Sequence, residues 1–569
     1  MIRVTMALLL AGTGISAPVG SIVGLVVDAG TREPLAGASV VVSGLDLGAA
    51  ADASGRFVIT RVPAGTWSVE ASMVGYRAQV RTPVAVNPGH ATEVEFRLSP
   101  EPTRLAEVVV RPDHFPKVKD APVSERNFAA EEIRVAPGGN GDIQRVVQAM
   151  PAVVSSGDQD NEVIVRGGNP NENLFLVDGI EIPYPNHFGS FTTQGGPINM
   201  LNGLLVREVD FVAGAFPARY GGRTSSVMDI SLKRGSARGF DGNIDMGMAG
   251  LGAVFGFPLP GRGNSFIGSY HKSFLEIMSA SGVWGMSAVP YYDNLLAKAT
   301  LRFADGQELT LLGLAGWDKI VLKAGEDVVK YSYSARYQTF RTAGGLALQS
   351  LFGKTGHGRF LLSGTGAEWK GIATRDSLWQ DTIQVTSTGE SSYGCRYDLS
   401  LRLADGQETQ AGINASRVGS DFGFYIAPDT VFRYQYGPDS VVIDSTPLLD
   451  TLGRPYVALI DCSARAQSWK TGAYLQHRLG LIRLGTLTLG VRADWFGYTG
   501  EWTVSPRLGF STSLLPGGIG LNLGWGVHYQ EPQWYMLLQD SVANRHMRSR
   551  RSDHYVLGLE RLIGDDARV

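Results

Sequence analysis

Cysteine is scarce in this chain of 569 residues: only Cys395 and Cys462 occur, far apart and without C-x-x-C spacing, so neither a disulfide framework nor a zinc site is encoded. Charge of one sign is lacking too. Lys and Arg total 51 against 54 Asp and Glu, a formal net charge of -3, so no global field directs the chain to nucleic acid or to an acidic partner. Beyond the N-terminus there is no run of about 18 apolar residues, which excludes a membrane helix. A chain of this kind crosses a bilayer only as a β-barrel. Neither H-E-x-x-H nor a G-x-S-x-G elbow occurs, and the nine histidines are dispersed without metal-ligand spacing. The glycine pair in "RGGNPNENLF" has no lysine behind it and runs into a strand, so it is no phosphate loop. No catalytic constellation, metal or cofactor is indicated, and the chain reads as a non-enzyme.

Glycine is what is abundant, 72 residues, well above the usual share of about 7%. Arg3, the apolar stretch from Val4 to Ala11 and the small-residue site Ile15-Ser16-Ala17 have the anatomy of an export signal over residues 1–17. Residues 18–99 are short β runs split by turn residues, the pattern of a small all-β sandwich. Residues 100–120 are proline-rich with one β-prone island, Leu105, Ala106, Glu107, Val108, Val109 and Val110. The island reads either as a segment that adds to the edge of a partner's sheet or as a plain linker.

Over residues 121–235 the pattern is mixed. Asn140 or Asp142 stands as the cap of a short helix with Ile143, Val146, Val147 and Met150 at helical spacing and Pro151 as its stop. "IVRGGNPNENLFLVDGI" reads as strand, glycine turn, strand, a structural hairpin. A helix is predicted from about Pro197, then a strand from Val206 to Val212, a glycine loop and a strand ending at Leu232. Residues 236–569 turn to long alternating strands. In "TLTLGVRADW", Leu487, Leu489, Val491, Ala493 and Trp495 face one way and Gly490, Arg492 and Asp494 the other. The second set suits a wet lumen, and Asp-Gly in the near-repeats "LRFADGQELT" and "LRLADGQETQ" marks tight hairpin turns. A soluble sandwich is the competing reading, and it would bury Arg492 on a dry face.

The front segment "REPLAGASVVVSG…ADASGRFVITRVPAGTWSVEASMVGY" resembles the carboxypeptidase regulatory-like domain, a transthyretin-like sandwich. "DIQRVVQAMPAVV", "IVRGGNPNENLFLVDGI" and "VREVDFVAGAFPARYGGRTSSVMDIS", in that order before a strand-rich region, resemble the plug domain of TonB-dependent outer-membrane receptors. "LTLGVRADWFG", "VSPRLGFSTSLL" and "GWGVHYQEPQW" are similar to that family's barrel strands. The resemblance implies a mainly β fold: an N-terminal sandwich, an α+β plug domain and an antiparallel transmembrane β-barrel in the outer membrane. It implies that Leu105 to Val110 is the box that pairs with a TonB-type periplasmic energy-transducing protein. Arg166, Gly167, Asp178 and Gly179 then belong to the plug framework, with Arg219, Tyr220 and Gly221 in its second signature. "SSVMDI" departs from the run more usual there, which leaves subfamily and ligand open.

Candidate ligand contacts are Tyr184, His187, Phe188 and Phe191 in the glycine-rich loop 181–196, with wedging of plug against wall as the competing role. "RHMRSRRSDH" reads as an external loop facing lipid phosphates or an anionic ligand. The 334 residues after 235 (569 minus 235) suffice for roughly 12 to 16 strands, whereas the family resemblance implies about 22. The expectation is therefore that C-terminal strands are missing. The functions left open are an energised importer of a scarce ligand such as a metal chelate, cofactor, glycan or peptide, and, as the alternative, a non-transporting surface binding or adhesion protein or a non-functional truncated receptor.

Overall fold

The computed structural model describes residues 19–100 and 125–568, except 44, 46, 140, 158–159, 191, 193, 237–238, 247–249, 262, 275–287, 305, 323–333, 354, 375–381, 405, 431, 437–441, 448–456, 482–484, 516–518 and 564–566. The export signal, the island Leu105 to Val110 and Phe191 lie outside the described residues. The chain divides into two compact units.

The first unit is a sandwich of seven strands. Val19–Asp28 is central in a three-stranded sheet, antiparallel to Arg56–Pro63 and parallel to Ala91–Leu98, while Ser39–Val42 is central with Gly65–Ser72 in a four-stranded one. Alternation along each strand puts Ile22, Val26, Val40, Ile59, Val69 and Phe96 into one core. The Phe57 and Phe96 rings meet there at 5.9 Å.

The second unit opens with a plug built on a five-stranded mixed sheet. Its order is Ile180–Glu181, Leu174–Val177, Val227–Leu232, Val206–Val212, Glu125–Ala129. Leu174–Val177 runs parallel to Val227–Leu232 and is buried along its whole length, as a strand covered on both faces must be. Helix Ile143–Gln148 is capped by Asp142, whose carboxylate accepts from Gln144 N–H at 2.8 Å, and it buries Ile143, Val146 and Val147.

Two expectations are corrected here. The strands flanking the glycine pair do not form a hairpin with each other: Ile164–Val165 pairs with Val153–Val154, while Leu174–Val177 pairs with Ile180–Glu181 and Val227–Leu232. Each half has its own tight turn. Arg166 and Gly167 (φ 52° and 77°) turn one, and Asp178 and Gly179 (φ 45° and 79°) turn the other, the two left-handed positions of a type I′ turn. No α-helix starts at Pro197 either. Asn199 accepts from Leu201 N–H and Asn202 from Leu204 N–H, so side chains take the amides a helix needs, and only a 3₁₀ turn at Gly203–Leu205 forms.

The wall is, among the described residues, a 15-stranded antiparallel sheet in chain order from Asp241–Met246 to Ala567–Arg568, and a separate small hairpin, Phe432–Tyr436 with Val442–Pro447, stands outside that order. Individual strands reach 25 residues, as in Val457–Leu481, far beyond the usual length of about 5 to 6. Gly306 and Gly406, both at φ 73°, close the two Asp-Gly turns. Laid flat, such a sheet would be roughly 65 Å wide. Yet Lys298, Arg341, Arg359, Gln476, Arg507 and His554, drawn from strands right across it, all touch the plug. The sheet therefore curls around the plug. Leu489 and Val491 are exposed on its outer face, whereas Arg492 is 7% exposed on the inner one.

Candidate functional site

The wall holds the plug largely by its backbone. Along plug residues 215–219 the partners alternate regularly: Ala215 N–H donates to His554 Nδ1 (3.0 Å), Arg507 Nη1 donates to the Phe216 carbonyl (2.6 Å), and Ala218 N–H donates to Gln476 Oε1 (3.0 Å). The Arg219 carbonyl then accepts from Arg396 Nη2 at 3.1 Å and Arg492 Nη1 at 3.5 Å. The guanidiniums are aimed by carboxylates on their own strands, Asp398 for Arg396 and Asp494 for Arg492. A Cβ at Gly221 would collide with the Arg492 side chain, which is why glycine follows Tyr220. Tyr220 is buried, stacks beneath Arg219 at 4.6 Å and donates to Asp229 at 2.9 Å. Burial, then the neighbouring carboxylates, push its phenol well above the usual range.

A second anchor is ionic. Asp178, at the tip of the hairpin Leu174–Glu181, pairs with Lys298 of the wall at 2.8 Å and accepts from Leu232 N–H, while Arg359 donates to the Asp178 carbonyl at 2.5 Å. Burial alone would raise the Asp178 carboxyl. Lys298, the Leu232 amide and Arg359 outweigh it and hold the group below the usual carboxylate range.

The aromatic loop 181–196 is the third. His187 is fully buried, with Nδ1 3.1 Å from Asp318 of the wall and Nε2 3.2 Å from Asn294 Nδ2. Since the amide N–H₂ only donates and the carboxylate only accepts, Nδ1 carries the proton. Burial lowers the His187 pKa despite the Asp318 carboxylate. Arg341 completes the set, 2.9 Å from Asp318 and 3.3 Å from the Gly189 carbonyl. Phe188, at φ 61°, sets its ring edge-on to Tyr292. Tyr184 reaches Glu390 at 3.3 Å, and burial followed by Glu390 raises its phenol. Of the four candidate ligand contacts, then, Tyr184, His187 and Phe188 lie against the wall.

Sequence reading placed Arg492 on the lumen face but did not anticipate that arginines and histidines of the wall bond the plug. A cation on the small, polar face of a long alternating strand is the signal that marks Arg396, Arg492 and Arg507, since a lumen-facing charge needs a partner inside. It also missed the short helix Trp534–Gln539, which packs Leu537 against Val418 and Phe496 while Trp534 meets Tyr498 at 5.2 Å. Of the stretch read as an external loop, Arg545, Arg548, Arg550 and Arg551 are exposed, but Arg550 to His554 open the wall strand Arg550–Ile563, with Arg550 paired to Glu172 of the plug and Arg551 to Asp553. Among the described residues no cluster of three or more His, Cys, Asp or Glu is placed to hold a metal.

Residues 22–110 match the family model of the CarboxypepD_reg-like domain, and residues 117–227 match that of the TonB-dependent receptor plug domain. A curated relative is the TonB-dependent transporter Oar of Myxococcus xanthus, 24% identical over 246 residues, covering 42% of this chain and 22% of that protein. The matched stretch thus spans about a fifth of that relative's length. Among solved structures, the outer membrane transporter YddB of Escherichia coli aligns with a TM-score of 0.54 at 14% identity, over 79% of this chain and 69% of that one. The siderophore receptor PirA of Pseudomonas aeruginosa aligns with a TM-score of 0.51 at 17% identity, over 77% and 71%. At these identities the structural likeness concerns the fold.

Proposed function

The chain belongs to the TonB-dependent outer-membrane receptors, with a CarboxypepD_reg-like domain ahead of its plug, and from that premise we propose that it imports a scarce ligand through a plug-gated barrel by energy delivered from the inner membrane. The observation that carries this reading is the row of wall side chains bonded to the backbone of plug residues 215–219. Each such bond contributes net about 0.5 to 3 kcal/mol. Several together exceed thermal energy many times over, so displacement of the plug requires work. The outer membrane holds no ATP, and that work arrives by contact from the periplasm. Leu105 to Val110 lies in the linker ahead of the plug and has the β-prone composition that adds to a partner's sheet edge. The partners are accordingly a TonB-type protein, outer-membrane lipid and a small ligand. PirA is by name a siderophore receptor, and metal chelates stand beside cofactors, glycans and peptides among the ligands to try. The chain acts by binding and gating, without catalysis.

Deleting Leu105 to Val110 tests the coupling. The purified variant is expected to keep a folded barrel but to lose binding to the periplasmic domain of a TonB-type protein, and cells carrying it to lose ligand accumulation while retaining surface binding. Undiminished binding to that domain would overturn the assignment.

A further inference from the structure

Two imidazoles sit where the wall meets the second glycine-rich segment of the plug. His528, on strand Ile519–Gln530, and His554, on strand Arg550–Ile563, stack at 4.1 Å with 27° between their planes. Phe216 of the plug packs on the same pair, 4.1 Å from His528 and 6.1 Å from His554. His554 is bonded at both ring nitrogens: Nδ1 lies 3.0 Å from Ala215 N and Nε2 2.9 Å from the Thr224 carbonyl. A backbone N–H only donates and a carbonyl only accepts. Nδ1 must therefore offer its lone pair and Nε2 its proton, which fixes the neutral Nε2–H tautomer.

The charges around this ring are mostly of one sign. Arg507 approaches from strand Glu501–Leu515, with its guanidinium 5.0 Å from the Phe216 ring, and Arg166 from the plug reaches the same place beside Gly214. His528 is fully buried, and neither of its ring nitrogens has a hydrogen-bond partner; the Arg507 Nε is likewise buried without one. Asp553, next to His554 in its own strand, is held by Arg551.

We infer that His554, stacked on His528, is a proton-releasable clasp on plug residues 213–224. A proton added at Nδ1 removes the lone pair that Ala215 uses and sets two N–H donors against each other. The new charge also faces Arg507 and Arg166. In its neutral form the one imidazole ties Ala215 to Thr224 across the loop; once protonated it holds only Thr224. Acidification thus detaches the start of the segment from the wall, leaving Arg507, Gln476 and Arg396 to hold residues 216–219.

Hydrogen exchange on the full chain in lipid nanodiscs, corrected for the intrinsic pH dependence of exchange, tests this at about pH 7.5 and about pH 5. Protection of residues 213–224 is expected to fall about tenfold or more at the lower pH, while strand Leu174–Val177 is unchanged. His554→Gln keeps one acceptor and one donor without a titration and is expected to show the same protection at both. Equal wild-type protection at the two pH values would sink the clasp, as would an equal loss in the variant. If His554→Gln fails to fold, the wild-type pair still decides: a loss at 213–224 with strand Leu174–Val177 unchanged supports the clasp, and a loss that includes Leu174–Val177, or that spares 213–224, overturns it. The outcome does not depend on import being observed, so it is separable from the functional reading.

Discussion

At the level of single residues the Asp178–Lys298 pair is the clearest case of a charge retained because its partner is buried. Asp178→Asn leaves the Lys298 ammonium, itself 6% exposed, without a counter-ion. The expected cost is about 3 to 5 kcal/mol, whereas replacing both by apolar residues of similar volume is expected to be near neutral. A double-mutant cycle read by urea denaturation measures the difference, and additive single effects would refute the pairing. The pH sense follows from the shift. Asp178 is lowered from an ordinary value of 3.8, so its contribution is complete above that value and is lost only as pH falls through the lower folded value. It therefore gives no loosening in the histidine range. His187 does: its pKa is lowered from 6.5, so its contribution is full above 6.5 and erodes as pH falls below it. Readout by segment separates it from His554, because the two hold different loops.

At the level of elements, what was legible in the sequence was whatever a local pattern dictates. The Asp142 cap, the type I′ turns at Arg166-Gly167 and Asp178-Gly179 and the strand Val206–Val212 are all written in nearby residues. Pairing partners are not local, and the flanks of the first turn separate into two sheets because Leu174–Val177 gains more by lying between Val227–Leu232 and Ile180–Glu181. The helix expected from Pro197 failed for the converse reason, since Asn199 and Asn202 compete for amides at a range that apolar spacing does not register. The wall cations were visible as residues but not as contacts. Their partners are plug carbonyls, which carry no sequence signature at all. The sandwich was legible as short β runs split by turns, and its core makes a simple prediction. Phe96→Ala, at a fully buried position packed on Phe57, is expected to destabilise that unit by about 3 to 5 kcal/mol. Chemical denaturation of the unit produced alone checks this, and a loss below about 1 kcal/mol would mean the two sheets do not share one core.

At the level of the whole molecule, one alternation decides both what faces lipid and what grips the plug. Along Gly485–Phe496, odd positions such as Leu489 and Val491 are exposed, while Arg492 is turned in and reaches Arg219 of the plug. The same period-two rule gives Trp502 and Val504 outward and Arg507 inward on the next strand. A one-residue slip would put Arg492 into hydrocarbon and Val491 into the lumen, so register, membrane insertion and gating are fixed by the same side chains. If the outer face is a lipid face, the cost of a charge there depends on depth. Val491→Arg, midway along its strand, is expected to cost about 2 to 4 kcal/mol, and Trp502→Arg, beside the tight turn at 497–500, about 0 to 1 kcal/mol. Folding efficiency into lipid vesicles, followed by the shift in gel mobility between folded and heat-denatured forms, measures both. Equal effects at the two positions would mean that this face does not meet a bilayer core, and a larger effect at Trp502 would place the hydrocarbon band nearer the long loops than the strand lengths imply.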